Sequence, residues 1–188
     1  PEAFEALVPA LLALQQAGLI YGIALAGPEI GYPVKPFAHI LAQLHDAGLG
    51  IEIHAGEWCG PESVWDALEH GHRNGVLDRL RIGHGVSLFR DQKLVEIFQE
   101  QQIHIEMCPT SNWCTGSVER IEDHPVAQAL ALGMNFSIST DDPGAFLCSM
   151  DSEYALLVEK FGFQAQDFER IYHNTLAARF QPELRVVN

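Results

Sequence analysis

Apolar and polar positions along this chain switch repeatedly between a helical and a strand period. Residues 3 to 17 place Phe4, Leu7, Val8, Leu11, Leu12 and Leu14 at helical spacing, and Gly18 closes the run. Tyr21 to Ala26 reads as a short strand, followed by a Gly27-Pro28-Glu29 turn. Pro36 to Ala47 puts Phe37, Ile40, Leu41 and Leu44 on one helical face and stops at Gly48. The cycle then recurs. Strands are predicted at Gly50 to His54, Arg81 to His84, Ile103 to Met107 and Asn135 to Ser139. Helices are predicted at Pro61 to His70, Gln92 to Glu100 and Pro125 to Leu132, with Asp151 to Lys160 and Asp167 to Phe180 closing the chain.

Alternation at this pace means parallel βαβ units. The strands read as apolar on both faces, as parallel strands covered by helices should be. No Gly/Ser linker or low-complexity tract divides residues 1–188, so one domain is expected. Chemically loaded residues fall at the C-terminal end of each strand: Gly27 to Glu29, His54 to Glu57, His84, Cys108 to Asn112, and Asp141-Asp142. A doubly wound sheet would gather such residues at one switch point. Their spread over successive strand ends favours a parallel (β/α)8 TIM-type barrel. Five strands do not close such a barrel, so the sheet is open or the chain is the C-terminal portion of something larger.

Composition narrows the function. A hydrophobic content of 47% with 19% charged residues describes a globular chain. The formal net charge of -14, from 11 Lys and Arg against 25 Asp and Glu, argues against nucleic acid or an anionic membrane as partner. A neutral small molecule remains compatible. No apolar run approaches the ~20 residues of a membrane helix. The opening Pro-Glu-Ala-Phe shows neither a basic nor an apolar leader region, which with the cysteine pattern points to the cytoplasm. Cys59, Cys108, Cys114 and Cys148 form no C-x-x-C pair and read as reduced, structural thiols.

Two strand ends carry the clearest chemistry. I-E-I-H-A-G-E (Ile51 to Glu57) sets a histidine at the end of a β-rich run and a carboxylate three residues later. S-T-D-D-P (Ser139 to Pro143) sets two adjacent carboxylates at the end of another, and R-I-G-H-G (Arg81 to Gly85) ends a third in histidine. Imidazole and carboxylates converging at strand ends are the materials of a metal-assisted hydrolytic site with a proton shuttle. Each has a plainer reading: His54 as a hydrogen-bonded strand end, Asp142 as a helix N-cap, Glu29 as a cap of the Pro28 turn. Ser111 and Asn112 read as helix-capping or turn residues. His70-x-His72 has paired-ligand spacing but lies at a helix end, and His124-Pro125 suits a helix entry. His39, His45, His104 and His173 read as surface or packing residues.

In order and combination, L-A-G-P-E, H-A-G-E, R-I-G-H-G, C-P-T-S-N followed by T-G, D-H-P and S-T-D-D-P resemble the adenosine deaminase family of zinc aminohydrolases. The likeness runs from Leu25 to Phe180. It implies one Zn2+ per site with His54 and Asp141 as ligands. It implies Glu57 as the carrier of a proton between the attacking water and purine N1. His84 would stabilise the oxygen added at C6, Asp142 would bind purine N7, and the Gly27 backbone would approach the ring. Adenosine, and 2′-deoxyadenosine, would then yield inosine and ammonia. The alternatives are adenine or an adenine nucleotide as substrate, or an inactive deaminase-like binding module.

The family takes two further zinc ligands from an H-x-H on its first strand. No strand-borne H-x-H precedes Leu25 here. The chain is therefore expected to match the family from about the fourth barrel strand onward. A companion N-terminal chain would supply the missing ligands.

Overall fold

A computed structural model describes residues 1–71, 77 and 79–181. The elements in order are α1 (Glu2–Glu5), α2 (Val8–Gln16), β1 (Gly22–Leu25), α3 (Ala38–Asp46), β2 (Gly50–Ala55), α4 (Pro61–His70), β3 (Leu80–His84) and α5 (Gln92–Gln101). They continue with β4 (His104–Met107), α6 (Pro109–Cys114), α7 (Val126–Ala131), β5 (Phe136–Ile138), α8 (Pro143–Phe146), α9 (Met150–Phe161) and α10 (Ala165–Ala177). The single helix expected over residues 3–17 is two, because Pro9 lacks an N–H and its ring crowds the carbonyl of Glu5.

The five strands pair in sequential order β1-β2-β3-β4-β5, all parallel. Sequential order with a helix between neighbours is an arc of a (β/α)8-type barrel, and it has no switch point. Among the described residues, neither the outer edge of β1 nor that of β5 has a strand partner. No helix is long and apolar enough to cross a membrane among the same residues.

One face of the sheet is hydrophobic. Ile51, Ile53, Leu80, Ile82, Ile105, Met107, Phe136 and Ile138 are buried there beneath α3, α4, α5 and α7. Each such side chain contributes about 1.5–3 kcal/mol by leaving water. The other face is polar, which corrects the expectation of strands apolar on both sides. Period-two alternation puts Glu52 and His54 in register with Arg81 and Gly83, and these with His104, Glu106 and Ser137. The polar groups are buried because they satisfy one another. Arg81 Nη1 donates to Glu106 Oε1 (2.8 Å) and Arg81 Nε to the Ala178 carbonyl (2.8 Å). His104 bonds Asn135 Oδ1 and Ser137 Oγ, both at 2.9 Å.

The segment after α10 brings Phe180 onto this polar face. Its ring lies 3.8 Å from the Arg81 guanidinium and across the backbone of Gly22 and Gly50. A Cβ on Gly50 would sit 2.1 Å from the ring, so only glycine admits it. Gly50→Ala is expected to destabilise by about 1–3 kcal/mol through overpacking. Adding Phe180→Ala should recover part of that loss in urea denaturation; an additive double variant would contradict the contact.

His104 gives a pH signature. Burial pushes its imidazole from 6.5 down to about 4. Between those values the unfolded chain binds a proton that the folded chain refuses. The stability attached to His104 is full above pH 6.5 and is lost as pH falls toward 4, by up to about 3 kcal/mol. Glu106, raised to about 7 chiefly by burial, acts in the opposite sense over much of this range. His104→Gln should therefore lose less stability than the parent between pH 7 and pH 5 by urea denaturation, and an equal loss would refute the assignment.

Candidate active site

The C-terminal end of the sheet holds the site. β2 delivers His54 on the polar face, and Gly56 then takes φ +75° so that the chain can turn at once. A Cβ on Gly56 would stand 2.8 Å from Ser87 Oγ and Val64 Cγ2. Glu29 holds the turn together. Its carboxylate accepts from the backbone N–H groups of Gly56, Trp58 (2.5 Å) and Cys59 (2.9 Å), and from Ser63 Oγ (3.0 Å). Glu29 therefore fixes the loop that carries Glu57.

His84 and Asp141 are both left-handed, at φ 65° and 56°. Strict alternation would point His84 with Ile82 into the hydrophobic layer. The αL backbone turns it into the cleft instead. Left-handed non-glycine residues are uncommon, and their presence at two strand ends marks strain held in place by the surroundings.

Gly27, Pro28, His54, Glu57, Trp58, His84, Thr115, Asp141, Asp142 and Phe146 are among the residues around a cleft of ≈ 500 Å³. All six residues singled out from the sequence thus share one cavity. The rings of His54 and His84 meet edge to face with centroids 4.6 Å apart, and His84 Nε2 lies 3.6 Å from Glu57 Oε2. Ligand atoms of His54, Glu57 and His84 fall within 4.8 Å of one another; Asp141 is outside that group. Ser111 Oγ holds the Asp141 carboxylate at 2.7 Å. Gly27 has φ +117° and nothing within 4 Å of a Cβ, which leaves its backbone facing open space. Asp142 occupies the N-cap position of α8 yet makes no side-chain cap bond, so its carboxylate is uncommitted to the helix.

Ser111 and Asn112 reach the site, contrary to the turn reading, because residues 109–114 form α6 rather than a loop. Pro109 in its first turn is the sequence signal for that helix. Asn112 Nδ2 lies 3.0 Å from His84 Nδ1 and 3.4 Å from Glu57 Oε1, and Thr115 Oγ1 donates to Glu57 Oε1 at 3.3 Å. His70 sits at the end of α4, 3.6 Å from Asp66, and does not line the cleft; His72 lies outside the described residues.

Burial holds the Glu57 carboxyl above its usual range, and the Asp141 charge adds to this. The Glu52 carboxylate, 3.7 Å from His54 Nε2, raises the His54 imidazole. Burial, with His54 alongside, pushes His84 down to about 4, so it is neutral near pH 7. Glu57, Asp141 and Asp142 crowd one cleft, and no Lys or Arg is among the described residues that line it. Partly buried carboxylates beside an imidazole, without a protein cation, suit a divalent metal of zinc's ligand preference. The donor set present fits such an ion.

The sequence profile of the family described as adenosine deaminase matches residues 2–186, and the chain belongs to that family. An adenosine deaminase of Shewanella loihica is 36% identical over 171 residues, covering 91% of this chain and 49% of that protein. The chain spans about half the length of the curated relatives it matches. Among solved structures, an adenine deaminase of Arthrobacter aurescens superposes with a TM-score of 0.83 at 27% identity, covering 96% of this chain and 54% of that one. An Arabidopsis N6-mAMP deaminase gives 0.82 at 26% identity, covering 97% and 52%.

Proposed function

We propose that this chain carries most of the active site of a zinc-dependent aminohydrolase that converts adenosine, and 2′-deoxyadenosine, to inosine and ammonia. The observation that carries the reading is the convergence of Glu57, with its raised carboxyl, and neutral His84 beside His54 and Asp141. His54 and Asp141 are the ligands we assign. Zinc, when bound, lowers the pKa of water toward ~7 and so makes a nucleophile available at neutral pH.

The chain's own groups would do the rest. Glu57 takes the proton released by the attacking water and delivers it to purine N1, which makes C6 electrophilic. A carboxyl raised above its usual range by burial suits both halves of that transfer. His84 donates a hydrogen bond to the oxygen that adds at C6 and stabilises the charge developing there. Asp142 is assigned to purine N7, and the open backbone at Gly27 admits the ring.

A catalytic zinc site ordinarily uses three or more protein ligands. We assign the ligands beyond His54 and Asp141 to an H-x-H on a companion segment that would continue the sheet past its open edges. A cytoplasmic setting fits four free cysteines. The relatives span a nucleoside, a base and a nucleotide as named substrates. The nucleoside is favoured over the nucleotide because a nucleotide calls for a cationic phosphate clamp, and the described cleft lining carries no Lys or Arg. Measuring kcat/KM for adenosine, adenine and AMP on one preparation that includes the companion segment tests this. Adenosine should lead; a lead for adenine or AMP would overturn the substrate.

A further inference from the structure

Asn112, wholly buried between two buried histidines, is bonded in a way that leaves its amide no choice of orientation. The orientation is set by a backbone group that can only donate. The Val126 N–H, first in α7 and without a helical acceptor, donates to His124 Nδ1 at 3.2 Å. Nδ1 of His124 is therefore an acceptor. His124 is 3% exposed, and burial pushes it down to about 3, so the ring is neutral and its one proton is on Nε2. That proton goes to Asn112 Oδ1 at 3.1 Å.

With Oδ1 committed to His124, Nδ2 of Asn112 faces His84. It lies 3.0 Å from His84 Nδ1 and 3.4 Å from Glu57 Oε1. Flipping the amide would set its oxygen against the Glu57 carboxylate and its NH2 against the Nε2–H of His124. Both contacts would be repulsive. Nδ1 of His84 must then accept, and a ring whose Nδ1 accepts carries its proton on Nε2, the nitrogen 3.6 Å from Glu57.

We propose that the Val126–His124–Asn112 chain is a positioning relay that locks His84 as the Nε2–H tautomer, so that His84 offers the cleft a hydrogen-bond donor and not a metal-binding lone pair. Proximity alone would group His84 with His54 and Glu57 as three ligands. The relay removes His84 from that set. It leaves His84 as the group that donates to the oxygen added at the substrate carbon. The catalytic meaning of the tautomer rests on the deaminase reading; the tautomer itself does not.

Nitrogen-15 NMR of histidine-labelled chain tests it, with and without zinc and alongside Asn112→Asp and His124→Gln. In the parent, His84 should show Nε2 protonated and Nδ1 bare, unchanged by zinc. The carboxylate that Asn112→Asp introduces accepts only, so the His84 proton should move to Nδ1, and kcat should fall ~10²–10³-fold with KM little changed. His124→Gln keeps a donor for Asn112 Oδ1 and should keep the parent tautomer. A parent protonated at Nδ1, a proton displaced from Nε2 by zinc, or Asn112→Asp without a tautomer change would each overturn the relay. The parent spectrum decides even where a variant fails to fold. With the companion segment and zinc supplied, a tautomer as stated with no turnover of any purine would leave the relay standing and sink the deaminase reading instead.

Discussion

With the companion segment supplied, Glu57→Gln is expected to lower kcat on adenosine by about 10²–10⁴-fold while bound zinc and KM stay nearly constant. Glutamine fills the same volume and can still accept from Thr115 Oγ1 and Asn112 Nδ2, which now hold Glu57 Oε1 at 3.3 and 3.4 Å. It cannot take up or release a proton at working pH. The variant also separates two roles that proximity leaves mixed, because Glu57 lies within 4.8 Å of His54 and His84 as a conceivable ligand. Zinc retained with turnover lost makes Glu57 the proton carrier. Zinc lost in parallel would make it a ligand, and turnover within tenfold of the parent would remove it from the chemistry.

Glu29→Ala should be the most damaging substitution away from the reacting groups. One carboxylate accepts from three backbone N–H groups of residues 56–59 and from Ser63 Oγ. Hydrogen bonds to a charged partner contribute about 1.5–3 kcal/mol each, and water replaces part of them at this half-buried place, so the loss should be about 3 kcal/mol. The larger consequence is positional. Without its anchor the turn that carries Glu57 loosens, and a misplacement of about 1 Å can lower rate ~10²-fold. Glu29→Gln keeps one oxygen acceptor and should fall between. Urea denaturation and turnover of both variants check this, and a loss below about 1 kcal/mol with normal turnover would refute the anchoring role.

Much of the architecture was legible because strand and helix periods alternate cleanly and glycines punctuate the ends of α2, α3 and α9. The polar face of the sheet was less so. I-E-I-H and H-I-E-M do alternate, but the expectation that parallel strands are covered on both sides outweighed the pattern. Only register shows Glu52, Arg81, Glu106 and His104 as one interior layer. Its cover comes from far along the chain, where Ala178 bonds Arg81 across 97 residues and Phe180 follows. The convergence of the six candidate residues on one cleft was legible from strand-end position and motif. Ser111, Asn112 and Glu29 were not, since their importance lies in what they bond across the fold. Capping residues and site-organising residues are the same side-chain types, and distance along the chain does not distinguish them. The left-handed backbone of His84 was equally hidden, because histidine carries no glycine-like signal for it.

Whether this cleft is a zinc-dependent site for adenosine is decided by following adenosine-to-inosine conversion with zinc quantified on the same sample, before and after chelation and re-addition. Once the companion segment is supplied, turnover should disappear with the metal, return on re-addition and scale with about one zinc per site. Stoichiometric zinc without adenosine turnover, or turnover that survives complete removal of the metal, would contradict it.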